Sequence, residues 1–120
     1  MSAGHVLPGL TGRVLVAVDC ADPVGLAQFW RHLLGGSATA GDGMVRLRAG
    51  ALSLDFLPVP DAKAGKNRWH LDLASSDQAA AVEAALALGA TRADDIFAGG
   101  SWQVLRDPEG NEFCILDPAG

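Results

Sequence analysis

The sequence predicts an α+β fold in which one strand-helix-strand-strand-strand unit is used twice. Three observations predict it. Apolar patterning gives the same element order in both halves of the chain. Helix landmarks recur at a fixed spacing, with Asp22 and Ser76, Leu34 and Leu88, and Gly35 and Gly89 each 54 positions apart. Residues 102–117, WQVLRDPEGNEFCILD, then close the chain as strand, tight turn and strand. A fixed internal period is a strong guide to architecture. Neither half is long enough to bury a sheet face alone, so the two must pack together.

In chain order, residues 13–19 (RVLVAVD) are a β-branched run that predicts a buried strand. Asp22 suits a helix N-cap and Pro23 the first helical position. Leu26, Phe29, Trp30 and Leu33 then recur at i, i+3, i+4 and i+7, which gives one apolar stripe. Gly35-Gly36 stops that helix. His32 lies off the stripe and reads as a solvated helix residue. Strands follow at 37–40, 44–48 and 52–57, with Asp42-Gly43 as a hairpin turn and Pro58 and Pro60 as the stop. The polar segment 61–67, DAKAGKN, connects the halves.

The second half opens with a strand over 68–74. Ser76 or Asp77 caps a helix running to Leu88, with Val82, Ala85 and Leu86 facing inward and Gly89 as its stop. Strands near 91–94, 102–106 and 112–117 complete it, and 98–101 is a flexible approach to the seventh strand. In the turn Asp107-Pro108-Glu109-Gly110, proline presets the second turn position and glycine is free to take positive φ. Beyond it Glu112, Cys114 and Leu116 alternate with Phe113 and Ile115. The predicted organisation is a tail at 1–12 and a single domain at 13–120, with module one at 13–60, the connector at 61–67 and module two at 68–117.

Composition narrows the partners. With 120 residues, 49% apolar and 19% charged, the chain fits one globular domain. The net charge of −5 argues against nucleic acid or an anionic membrane surface, which call for a basic stripe. Cys20 and Cys114 have no disulfide spacing, which predicts free thiols in a reducing, cytoplasmic setting. Residues 1–10 lack an apolar signal-peptide core, and no apolar run approaches the roughly 18 residues of a membrane span.

The wording D-P-E-G-N-E-F at 107–113 belongs with two other stretches. These are Val18-Asp19-Cys20-Ala21-Asp22-Pro23 before the first helix and His70-Leu71-Asp72-Leu73 before the second. Together they resemble the vicinal oxygen chelate superfamily of glyoxalase I, fosfomycin- and bleomycin-resistance proteins and extradiol dioxygenases, and within it the small glyoxalase-like subgroup. The resemblance covers about residues 13–117. It implies paired βαβββ modules that curl a mixed sheet around a central cavity, with the helices on the convex side, and a homodimer. It does not fix the reaction, because one fold hosts many chemistries.

The resemblance also implies ligand positions for a divalent ion on the first, fifth and eighth strands, with a fourth-strand carboxylate in glyoxalase I. His70 matches on the fifth. Cys114 stands at the eighth-strand position where the family has glutamate, and Leu15 at the first-strand position. Arg13, Ala17 and Asp19 share the Leu15 face, and none is a histidine. Asp55 can stand for the fourth-strand carboxylate. A His70, Cys114 and Asp55 set is chemically suited to zinc, yet no spacing signature supports it. His70 and Asp72 share a strand face, but residues two apart on a strand stand roughly 7 Å apart, which argues against a direct pair.

The mismatches at Leu15 and Cys114 lead to the expectation of no metal and no other cofactor. The expected function is binding of a small, partly apolar or aromatic molecule in a cavity lined by His70, Asp55, Trp102, Cys114 and Glu112, as in metal-free bleomycin-binding members. Trp69, Phe56 and Val104 are further apolar candidates, with Trp69 pointing away from His70. The alternative is a metal-dependent lyase, isomerase or dioxygenase whose ligand set has diverged.

Overall fold

The computed structural model describes residues 4, 8, 9, 11, 13–96 and 102–119. Module one contains β1 (Val16–Cys20), α1 (Pro23–Leu34), β2 (Ser37–Gly41), β3 (Met44–Ala49) and β4 (Leu52–Pro58). Module two repeats the order with β5 (Leu71–Leu73), α2 (Gln78–Ala87), β6 (Thr91–Arg92), β7 (Trp102–Arg106) and β8 (Glu112–Leu116). Each module forms its own mixed sheet. The orders are β1-β4-β3-β2 and β5-β8-β7-β6, and β1 with β4 and β5 with β8 are the parallel pairs. The two βαβββ modules are the architecture that the internal repeat predicts.

Local chemistry fixes the helix ends. The Asp22 carboxylate accepts from Gly25 N at 3.0 Å, and the Asp77 carboxylate accepts from Ala80 N at 3.1 Å, so each helix has an orphan amide satisfied. Asp77, not Ser76, is therefore the second cap. α1 stops at Gly35, whose φ of 79° is open only to glycine without strain. Gly36 follows at φ 89° with its Cα against the Arg48 backbone of β3, which leaves no room for a Cβ.

Strand alternation sorts the side chains. Val45, Leu47, Leu54 and Phe56 are buried with Leu26, Phe29 and Trp30 of α1. Leu105, Phe113 and Ile115 of module two, with Val82 and Ala85 of α2, belong to the same core. Residues on the opposite faces of both sheets are left to build a site. Among the described residues no helix is long and apolar enough to cross a membrane.

Three strand boundaries depart from the sequence expectation. β1 begins at Val16 rather than at residue 13, and β6 holds only Thr91 and Arg92. β5 is three residues long, so His70 precedes the strand instead of lying within it. That difference matters for the site. The expected flexible approach at 98–101 lies outside the described residues.

The modules are joined by the D-P-E-G-N turn. Trp30 Nε1 donates to Asp107 Oδ2 at 3.0 Å in the core, and the Trp30 ring meets Phe113 edge-on with centroids 4.9 Å apart. Asp107 is 3% exposed and also accepts from Glu109 N, Asn111 N and Asn111 Nδ2. The Glu109 carboxylate reaches back to accept from Ala21 N at 2.7 Å and Asp22 N at 2.8 Å. Asp107→Asn converts one acceptor into a donor that faces other donors. We expect it to lower stability by about 1–3 kcal/mol, seen as a reduced urea midpoint at unchanged slope.

Candidate metal centre and cleft

Leu71 and Leu73 of β5 pack on the core, so Asp72 points to the other face. Phe113 and Ile115 of β8 do the same, which sends Glu112, Cys114 and Leu116 to that face. The parallel register places Asp72 directly beside Cys114. His70 Nε2 lies 3.0 Å from Asp72 Oδ1. One ligand atom each from His70, Asp72 and Cys114 lies within 4.8 Å of the others. The His70 and Asp72 side chains are 41% and 50% exposed, whereas Cys114 is 5% exposed. The cluster therefore opens outward from a buried sulfur.

This geometry corrects the expectation of a metal-free cavity. The roughly 7 Å separation expected of His70 and Asp72 holds only where both lie in one regular strand. Because β5 starts at Leu71, residue 70 escapes the strand spacing and its ring folds back onto Asp72. Bonds of about 2.0–2.3 Å in a tetrahedral site put donor atoms ~3.3–3.6 Å apart. The three donors lie within 4.8 Å of one another, so side-chain movements of about an ångström would bring them to that spacing, and three protein ligands would leave one position open. Without an ion, burial pushes the Cys114 thiol up to about 11 and the Asp72 carboxylate adds to the effect. Cys20 is also raised to about 11, by burial and then by surrounding carboxylates, and its thiol donates to Leu57 O.

Beside the cluster runs a cleft of about 630 Å³ between β1, the connector at 61–67 and the start of β5. His70 and Trp69 line it, as do Asp19, Lys66 and Glu112. His70 thus belongs to both the cleft and the cluster. Asp55, Trp102 and Cys114 are not among the cleft's lining residues. Asp55 is the register partner of Arg46, which holds it with two hydrogen bonds of 2.6 and 2.9 Å. That guanidinium keeps the Asp55 carboxyl below its ordinary range. Trp102 opens β7 opposite Leu116 and is 39% exposed. Leu15 stands just ahead of β1 and offers no donor.

Glu112 lines the cleft but is 4% exposed and has both oxygens occupied. Oε1 accepts from Asn67 N at 2.6 Å, and Oε2 accepts from Lys63 Nζ and Arg106 Nε, each at 3.3 Å. Arg106 is itself held by two 2.8 Å bonds to Asp95. Glu112 therefore anchors the connector that walls the cleft. Sequence reasoning missed Asp72, Lys63, Asn67 and Glu109 as site builders. Only Asp72 carried a signal, through its shared face with His70; the others are set by how the connector and last turn fold.

Burial pushes the Glu112 pKa up, but the Asn67 N–H, Lys63 and Arg106 outweigh it and hold the group below its ordinary value. A depressed folded pKa stabilises above the unfolded value of about 4.5 and loses that stabilisation as pH falls through the folded value. Glu112→Gln should therefore cost about 1–3 kcal/mol near neutral pH. The gap between wild type and variant should close on acidification below about pH 4.5. Urea midpoints across pH measure this, and a gap that persists at acid pH would show the charge to be irrelevant.

A glyoxalase-like domain family model matches residues 15–116. A glyoxalase/bleomycin resistance protein/dioxygenase family enzyme from Burkholderia phytofirmans is 20% identical over 86% of this chain and 95% of its own, with a TM-score of 0.71. A glyoxalase/bleomycin resistance protein from Albidiferax ferrireducens is 23% identical over 85% and 94%, with a TM-score of 0.61. The fosfomycin resistance protein FosX from Listeria monocytogenes is 12% identical over 88% and 91%, with a TM-score of 0.70. At these identities the likeness establishes the fold. No curated protein matches the chain. The matched residues run through all eight strands and both helices, and the chain belongs to the glyoxalase-like domain family.

Proposed function

We propose that this protein is a metal-dependent enzyme acting on a small molecule, of the lyase, isomerase or dioxygenase kind. The convergence of His70, Asp72 and Cys114, with His70 shared between this cluster and the cleft, carries the reading. It replaces the metal-free binding function expected from the mismatched ligand positions. The Listeria FosX relative is in complex with Mn(II) and sulfate ion in one structure and with Mn(II) and 1S,2S-dihydroxypropylphosphonic acid in another, which supports an ion in this fold. A bound divalent ion with an open position supplies Lewis-acid polarisation of a substrate oxygen.

The chain's own groups divide the remaining work. His70, Asp72 and Cys114 would hold the ion. Trp69 and the apolar side chains of β1 give the substrate contact area in the cleft. Asp107, Glu109 and Glu112 have carboxylate oxygens taken by protein donors, so they keep shape and do not move protons. Asp19 and Asp61 are the exposed cleft carboxylates left to take up or release a proton. We expect about one divalent ion per chain in protein purified without chelator. His70→Ala should lose the ion and, with it, turnover across a panel of small oxygenated substrates. Metal-free protein by elemental analysis, even after reconstitution, would overturn the reading.

The same reading includes a homodimer. Trp69 is 91% exposed at the cleft mouth, and β1 and β5 each lie at a sheet edge. Edge strands and a large apolar side chain are surfaces that a second copy would cover. A monomer mass by light scattering at high micromolar concentration would remove the dimer. Two free thiols suit a reducing, cytoplasmic compartment.

A further inference from the structure

We infer that Cys114 is a direct sulfur ligand, so that the centre is a mixed nitrogen, oxygen and sulfur site built for zinc rather than for manganese. This rests on the metal-dependent reading and goes beyond it to the identity of the ion. Three observations carry it. Cys114 occupies the eighth-strand position where the family resemblance implies a glutamate, so a hard oxygen donor has been exchanged for a soft one. The parallel β5–β8 register brings the Asp72 carboxylate to that sulfur, which supplies a donor that the implied ligand set does not include. Among the described residues, only His70, Asp72 and Cys114 converge closely enough to share an ion.

Donor chemistry then selects the ion. Manganese and magnesium favour sites made of carboxylates, carbonyls and water, whereas thiolate with imidazole favours zinc. Two ligands come from adjacent paired strands and the third from the residue just before one of them. Such a backbone-fixed trio suits a compact four-coordinate ion with one exchangeable position better than a six-coordinate ion that needs more protein oxygens. The burial of Cys114 and the exposure of His70 and Asp72 would place the sulfur at the base of the site, with the other two donors nearer solvent.

Cobalt(II) is the probe, because it replaces zinc in such sites and a cobalt–thiolate bond absorbs in the near ultraviolet. Apo-protein titrated with Co²⁺ should develop this charge-transfer band, and Zn²⁺ should abolish it on addition. Cys114→Ser should lose the band while Cys20→Ser keeps it, which assigns the sulfur between the two thiols. In competition, Cys114→Asp should lower the Zn²⁺-over-Mn²⁺ preference by on the order of tenfold. Wild-type protein that binds Co²⁺ without the band, or a band lost in Cys20→Ser and kept in Cys114→Ser, overturns the sulfur assignment and leaves the metal-dependent function standing. Failure to bind Co²⁺, Zn²⁺ or Mn²⁺ at all overturns both. If Cys114→Ser fails to fold, Cys20→Ser decides alone, since a band kept there can come only from Cys114 and a band lost there overturns the assignment.

Discussion

The buried bond from the Trp30 indole to the Asp107 carboxylate is the constraint on which the two-module arrangement depends. A carboxylate in a core is costly unless its oxygens are satisfied, and here four donors converge on it. Three of them come from the turn that contains Asp107, and the fourth comes from α1 of the other module. The turn can therefore be complete only when the modules are docked. Glu109 adds the reciprocal contact by receiving the two amides that precede α1. A loop motif thus locks the two modules together.

The same turn leads into the cleft. It delivers the chain to β8, which pairs with β5 inside module two and carries Glu112 at its first position and Cys114 two residues later. Glu112 binds the connector through Asn67 and Lys63, and so closes one wall of the cleft. Cys114 faces the same side and anchors the three-donor cluster. Because side chains alternate along β8, the same five residues contribute Phe113 and Ile115 to the core. A shift of one residue in the β5–β8 pairing would exchange the core and site faces together. Stability and site geometry are specified by one register.

Much of the fold was legible in the sequence. The helix caps, the glycine stops, the apolar stripe of α1 and the repeated element order all rest on short-range chemistry. Boundaries were less legible where tertiary structure decides them. Residues 68–70 have a sequence suited to a strand, yet pairing with β8 begins only at Leu71. That truncation changed the site reading, since ideal strand spacing separates His70 from Asp72 and the folded chain does not. Asp55 shows the opposite case. Its position on β4 was readable, but its bidentate partner Arg46 depends on the β3–β4 register. Glu112 likewise looked available for a ligand because two of the donors that occupy it, Asn67 and Lys63, come from the distant connector and the third, Arg106, depends on the β7–β8 register.

The two repeated modules have unequal chemical roles. All three donors of the cluster come from module two, while the first-strand position in module one carries Leu15. Module one instead contributes the β1 wall of the cleft, the Trp30 side of the lock and the Arg46–Asp55 pair on its outer sheet face. A duplicated fold places equivalent strand positions in both halves, so retaining donors in only one half concentrates the electrostatic demand there. Of the three donors, His70 is the one that also lines the cleft, whose walls include β1 of module one. A three-donor cluster on one module and the β1 wall of the cleft on the other is the division that these side chains impose on a near-symmetric backbone.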